Sequence, residues 1–212
     1  SITVTSPVTN NTDINAAPLI EVSATDPNLA YLWYNVSNTQ EFLQNGVAEY
    51  LNDTIWASIN DGDSFTIEIY ANDTSGNLNN TFTYVFTKDI SAPLLNIISP
   101  TSGQNQTWVN SPPNIQVSIS DPNIAYIWYN VSGNQEFLAD GVSEDLNDTI
   151  WANINDGETF TIEFYANDTF GQLNDTYTFE FYKGTSAPTI TIIQPSVNET
   201  WVNIAPIIQI SA

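Results

Sequence analysis

The stretch Phe65-Thr-Ile-Glu-Ile-Tyr-Ala-Asn-Asp-Thr-Ser-Gly76 constrains this chain most, because it occurs twice. It returns 95 residues later as Phe160-Thr-Ile-Glu-Phe-Tyr-Ala-Asn-Asp-Thr-Phe-Gly171. In the first copy Phe65, Ile67, Ile69 and Ala71 alternate with Thr66, Glu68, Tyr70 and Asn72. Side chains two apart share a face of an extended chain, so each copy reads as a half-buried β-strand running into a turn. The same offset relates 51–62 to 146–157 and Tyr31-Leu-Trp-Tyr-Asn-Val-Ser37 to Tyr126-Ile-Trp-Tyr-Asn-Val-Ser132. A third copy opens at Ile190-Thr-Ile-Ile-Gln-Pro195, matching residues 2–7 and 95–100. Self-similarity at a fixed period signals a tandem array. The expected units are 1–90, 91–185 and, as the first two strands of a further copy, 186–212.

Within a repeat, short alternating segments recur at intervals that suit a sandwich. Strands are expected over 2–6 (A), 19–24 (B), 31–37 (C), 47–51 (D), 54–59 (E), 65–72 (F) and 81–87 (G). The core list is Ile20, Leu32, Tyr34, Ile67, Ile69, Phe82 and Tyr84. No segment sustains a helical period. The expected fold is therefore all-β: tandem seven-stranded immunoglobulin-like sandwiches, two complete and a third begun. Ser91-Ala92-Pro93 and Ser186-Ala187-Pro188 read as short, Pro-stiffened links, which favour a rod over beads on a loose string. The tail 190–212 would leave Ile190, Ile192, Ile208 and Ile210 without an opposite sheet; either the parent chain continues or a neighbouring subunit supplies the missing strands.

Asp61-Gly62, the alternating strand, Tyr70-Ala71-Asn72-Asp73 and Gly76-Asn77 together resemble the penultimate strand of prokaryotic immunoglobulin-like surface repeats. The pattern is also similar to fibronectin type III and cadherin-like modules, and Lys88-Asp89-Ile90-Ser91-Ala92-Pro93 resembles the acidic-then-Pro linker between such repeats. The resemblance spans nearly the whole chain. It implies the fold and an extracellular, cell-surface location, and says little about activity. Gly184 departs from it by standing where the first linker has Asp89.

Two Lys and no Arg or His stand against 24 acids, a net charge of −22. Such a chain repels nucleic acid and anionic membranes and attracts cations. No Cys is available for a disulfide or a thiol site. No apolar run in this segment is long enough to span a bilayer. With no His or Cys for acid–base or nucleophilic work and no Arg for an anion clamp, an enzyme is not expected; the recurring acids read as solvated turn residues.

Asn-x-Ser/Thr occurs at Asn10, Asn35, Asn52, Asn72 and Asn79, again at Asn105, Asn130, Asn147, Asn167 and Asn174, and at Asn198. Chance in an Asn- and Thr-rich chain yields about five such triplets, and duplication copies chance sites. Registers such as Asn10-Asn-Thr, Asn105-Gln-Thr and Asn198-Glu-Thr nevertheless keep the triplet while their flanks differ, which favours covalent N-glycans. Most sites lack an acid two positions earlier, so an archaeal exterior is expected rather than a bacterial one.

On strand C, Leu32, Tyr34 and Val36 make the better core face, which turns Trp33 outward beside Tyr70. An aromatic two residues before a sequon Asn could carry the first sugar on its ring. Trp33, Tyr70, Trp128 and Tyr165 are the candidate stacking residues. The competing reading buries Trp33 between the sheets; Trp56 has no assigned face. Asp61, Asp63 and Asp89, expected to face Asp121, Asn123 and Asp168, could supply oxygen ligands for calcium, although Asp and Asn also serve simply as turn formers. Together these features favour an extracellular, N-glycosylated structural or adhesive rod in a surface layer, stalk or filament. Its partners would be neighbouring copies or cell-surface components. The alternative is a calcium-dependent adhesin or carbohydrate-binding repeat of a larger surface protein.

Overall fold

A computed structural model describes residues 1–194, 205 and 207–211. The chain divides into two compact units, Ser1–Ala92 with Thr169–Gln172, and Pro93–Asp168 with Leu173–Ala212. The first holds β1 (Ile2–Ser6), β2 (Thr12–Ile14), β3 (Leu19–Ala24), β4 (Leu29–Val36), β5 (Thr39–Phe42), β6 (Ala48–Tyr50), α1 (Asp53–Ser58), β7 (Ser64–Asp73) and β8 (Leu78–Lys88). The second repeats the order as β9 (Leu94–Ser99), β10 (Thr107–Val109), β11 (Asn114–Ser120), β12 (Ile124–Val131), β13 (Asn134–Phe137), β14 (Ser143–Asp145), α2 (Asp148–Asn153), β15 (Thr159–Asp168) and β16 (Leu173–Lys183).

Each unit is a β-sandwich of a three-stranded and a five-stranded sheet. In the first the orders are β1-β3-β6 and β2-β8-β7-β4-β5; in the second, β9-β11-β14 and β10-β16-β15-β12-β13. The first strand changes sheets midway. β1 pairs antiparallel with β3, the chain breaks at Pro7, and β2 then runs parallel to β8. Counting β1 and β2 as one split strand gives seven. The alternation sets the core: Ile20, Val22, Leu32, Tyr34, Ile67 and Ile69 are buried, and Phe82 and Tyr84 pack against them half-buried. The second core repeats this with Ile115, Val117, Ile127, Tyr129, Ile162 and Phe164.

The segment expected as strand E is instead the helix α1, and α2 in the second unit. Asn52 caps it: its Oδ1 accepts from the N–H of Thr54 and of Ile55, as that of Asn147 does from Thr149 and Ile150. A side-chain cap satisfies amide groups that a helix start leaves open, and Ile55 is the one fully buried residue of the helix. The helix is closed at its other end by the one lysine of each repeat. Lys88 Nζ donates to the carbonyls of Trp56 (2.9 Å) and Ile59 (2.8 Å) and lies 4.4 Å from the Trp56 ring centroid. Lys183 does the same with Trp151 and Ile154. Trp56 thereby has its place, over the lysine and edge-on to Phe65.

Beyond the second sandwich, β17 (Thr191–Gln194) and β18 (Gln209–Ser211) pair antiparallel, with Ile192 opposite Ile210. Their register shifts between Ile192 and Gln194, as β1 shifts between Val4 and Ser6 and β9 between Ile97 and Ser99. One bulge thus recurs at the same repeat position three times. Ile190, Ile192, Ile208 and Ile210 are exposed.

Candidate functional site

The five-stranded sheets carry most of the chemistry on their outer faces. In the first unit, register places Trp33 opposite both Phe42 and Tyr70, Asn35 opposite Glu68, and Tyr31 opposite Asn72. Trp33 and Tyr70 stack with centroids 5.3 Å apart and planes 7° from parallel; Tyr31 and Phe42 lie 5.4 Å apart. Trp33 is therefore an outer-face residue and Tyr34, 2% exposed, is the core aromatic. The second unit repeats the cluster with Trp128 and Tyr165 at 5.2 Å and Tyr126 and Phe137 at 5.5 Å. Glu68 organises the polar end of the cluster, its Oε2 accepting from Asn35 Nδ2 and from the Tyr70 hydroxyl. That bond to a carboxylate is the first cause of the raised Tyr70 pKa. Glu163 likewise accepts from Asn130 Nδ2 and from the Tyr165 hydroxyl.

Several sequon asparagines hold structural positions. Asn52 and Asn147 are the helix caps, with Nδ2 donating to Glu41 and Glu136. Asn35 and Asn130 are half-buried and tied to glutamates. The Oδ1 of Asn10 accepts from the Val85 N–H (2.7 Å), and that of Asn105 from the Glu180 N–H (2.8 Å), each continuing a ladder where the chain bends away. Both are exposed. Asn72 Oδ1 accepts from the Tyr31 N–H, whereas Asn167 Oδ1 is buried without a hydrogen bond. Asn79 and Asn174 accept from the hydroxyl of their own sequon threonines, Thr81 and Thr176. Asn198 lies outside the described residues.

Of the acids, Asp61 forms a latch on the chain leaving its sandwich. It accepts from the Ile90 N–H and the Ser91 hydroxyl, which hold its carboxyl below the usual carboxylate range, the Ile90 bond first. Asp156 is the counterpart. Its bonds from Ser186 and then Thr185 lower its pKa to about 2. Asp63 accepts from Asn60 Nδ2 within the same turn, and the Asp89 N–H donates to the Ile14 carbonyl. In the second unit, Asp121 accepts from the Asn123 N–H, and the carboxylates of Asp121 and the buried Asp168 lie within 4.8 Å of each other.

Sequence reading missed a second aromatic corner on the outer face of the second unit. Trp108 on β10 stands opposite Tyr182 on β16, with centroids 5.4 Å apart. A Cβ at Gly184 would lie 2.8 Å from the Trp108 ring, so glycine makes room for it. The first unit has Asp13, Thr87 and Asp89 at these three places. The signal lay in those differences between repeats; a three-residue strand showed no alternation to give Trp108 a face.

No protein-family model and no curated protein matches the chain. Solved structures do. The fibronectin(III)-like modules of Clostridium thermocellum CbhA share 12% identity over 87% of this chain and 94% of that one, at a TM-score of 0.37. A Ca2+-stabilized adhesin with which an Antarctic bacterium binds ice shares 16% identity over 91% of this chain, at a TM-score of 0.37; the alignment takes in 51% of the adhesin chain. The FN1–FN3 domains of chicken CNTN1 share 10% identity, covering 82% of this chain and 68% of that one, at a TM-score of 0.39. The chain is similar to tandem fibronectin- and immunoglobulin-like repeats.

Proposed function

We propose that the chain is a segment of an extracellular structural or adhesive array built from N-glycosylated immunoglobulin-like repeats, with residues 186–212 opening a third copy. The observation that carries this reading is the repetition of a whole device. Each sandwich closes its own core, buries its own lysine and ends on an aspartate latch that fixes the departing chain. The recurrent bulge of β1, β9 and β17 supports the third copy. The acids, with neither His nor Cys beside them, support a role other than catalysis. Among the described residues no helix is long and apolar enough to cross a membrane. Glycans belong at the exposed Asn10 and Asn105 and at Asn79, where the sequon threonine already bonds the amide oxygen. Glycopeptide mapping of natively produced protein should find sugar at those three and bare caps at Asn52 and Asn147. Peptide mass alone, with no added sugar, would refute the glycosylated form of the array.

The Asp121–Asp168 pair favours a second element, a calcium ion bound by the second sandwich, because carboxylate oxygens gathered within 4.8 Å suit a hard cation. Calcium at constant ionic strength should raise the melting temperature and EDTA reverse it. Asp121→Asn should abolish the response. A melt indifferent to calcium removes the ion from the array.

A further inference from the structure

The outer face of the second five-stranded sheet has two aromatic corners, not one. Trp128, Tyr165, Phe137 and Tyr126 form the first, and Trp108 with Tyr182 the second. Along β15 the corners are centred on Tyr165 and Thr159, opposite Trp128 and Tyr182 respectively. Six residues of extended chain separate them by about 20 Å. Between them runs a groove of about 300 Å³ lined by Asn130, Ser132, Thr159, Thr161 and Glu163, with Gly133 and Phe160. Its polar groups are hydroxyls, an amide and a carboxylate.

Three features narrow what fits. Rings at both corners reach solvent: Trp108 is 65% exposed and Phe137 61%, while Trp128, Tyr165 and Tyr182 are half-buried. Apolar ring faces left in water are costly unless something flat and partly apolar covers them. Both lysines are buried under their helices, so no side-chain cation is left on the described surface to receive an anion. The carboxylates are engaged rather than bare, Glu163 with Tyr165 and Asn130, and Glu180 with the Tyr182 hydroxyl. Each keeps acceptor lone pairs that ligand hydroxyls can use. Pyranose rings offer C–H faces for the aromatics and hydroxyls for the trough.

We propose that this face of the second repeat binds a neutral, hydroxyl-rich polysaccharide, seated on the Trp128–Tyr165 and Trp108–Tyr182 pairs and spanning the groove between them. The first repeat supplies an internal control. It keeps the first corner but has Asp13 and Thr87 in place of the second, and Asp89 in place of Gly184. It should bind the same chain more weakly. Binding here is independent of whether the chain forms an array.

The test is affinity electrophoresis of the full chain through gels containing β-glucan, galactomannan, xyloglucan or, as an anionic control, alginate. At least one neutral polysaccharide should retard the protein and alginate should not. Trp108→Ala should weaken the retarding interaction about tenfold. The pair Trp108→Asp and Tyr182→Thr should do so at least as strongly, and it uses only residues with which the first repeat folds. No retardation by any neutral polysaccharide would overturn the proposal. So would retardation that ignores both variants, equal retardation by alginate, Trp108-dependent capture of a basic peptide alone, or a glycan covalently attached at Asn130 and filling the groove.

Discussion

Lys88 and Lys183 are the only side-chain cations in the chain, and both point inward. Each closes the carbonyl end of a six-residue helix that intrinsic propensity would not sustain. The charge sits where the helix dipole favours it, with an indole face beside it. The Trp56 carbonyl also accepts from the Ile59 N–H, so the group that depends on Lys88 most is the Ile59 carbonyl. Lys88→Met keeps the aliphatic stem and removes the donor. It should cost about 1–3 kcal/mol in urea denaturation, the cost of one buried acceptor left unmade. An unchanged midpoint would mean that burying the ammonium had cost as much as its bonds returned. At the opposite end of the helix, Asn52→Ala should cost about 1 kcal/mol and Asn52→Ser much less, because serine can also cap. A sequon role alone would leave stability unmoved by either change.

At the scale of elements, Gly184, just past β16, and Trp108 on β10 form one unit. A methyl at Gly184 meets the side of an exposed indole, not backbone, so the ring can swing away. Gly184→Ala should therefore change stability by under about 1 kcal/mol while removing the Trp108–Tyr182 ellipticity in near-ultraviolet circular dichroism. Unfolding on that substitution would show the ring to be fixed. This corner also marks where sequence reading stopped. Strands β3, β4, β7 and β8 were legible because alternation runs long enough in each to define an inside, and the same parity put Trp33 outward. The helix was misread because six residues, under two turns, are too few to show a 3.6-residue period, and Ile55 and Ile59 mimic alternation. Asn52-Asp53 ahead of it was the available capping signal. β2 and β10 were missed because three residues paired parallel to a distant strand leave no local pattern. The aromatic corner depends on contacts between positions 108, 182 and 184, which no local pattern joins.

For the molecule as a whole, the latches and the charge set the response to the medium. Asp156 has a folded pKa of about 2, below its unfolded value, so the bonds it makes to Thr185 and Ser186 contribute stability above pH 4. That contribution is lost as pH falls from about 4 towards 2. Protection of the Thr185 amide, its exchange measured against the intrinsic rate at each pH, should fall across this window, and Asp156→Asn should remove the transition. Salt acts on all the acids together. In most proteins added salt screens attractive surface pairs along with repulsive ones, and the two effects oppose each other. Here the 24 acids face no exposed Lys or Arg, because the only two cations are buried. Screening then removes repulsion almost alone. Raising NaCl from about 10 mM to about 500 mM shortens the screening length from about 30 Å to a few ångströms, and the melting temperature at pH 7 should climb steadily by several degrees. The climb should shrink below pH 4, where unperturbed carboxylates take up protons and the repulsion is already gone. A melting temperature that is flat in salt at pH 7, or that climbs equally at pH 3, would show that self-repulsion between acids does not limit the stability of these sandwiches.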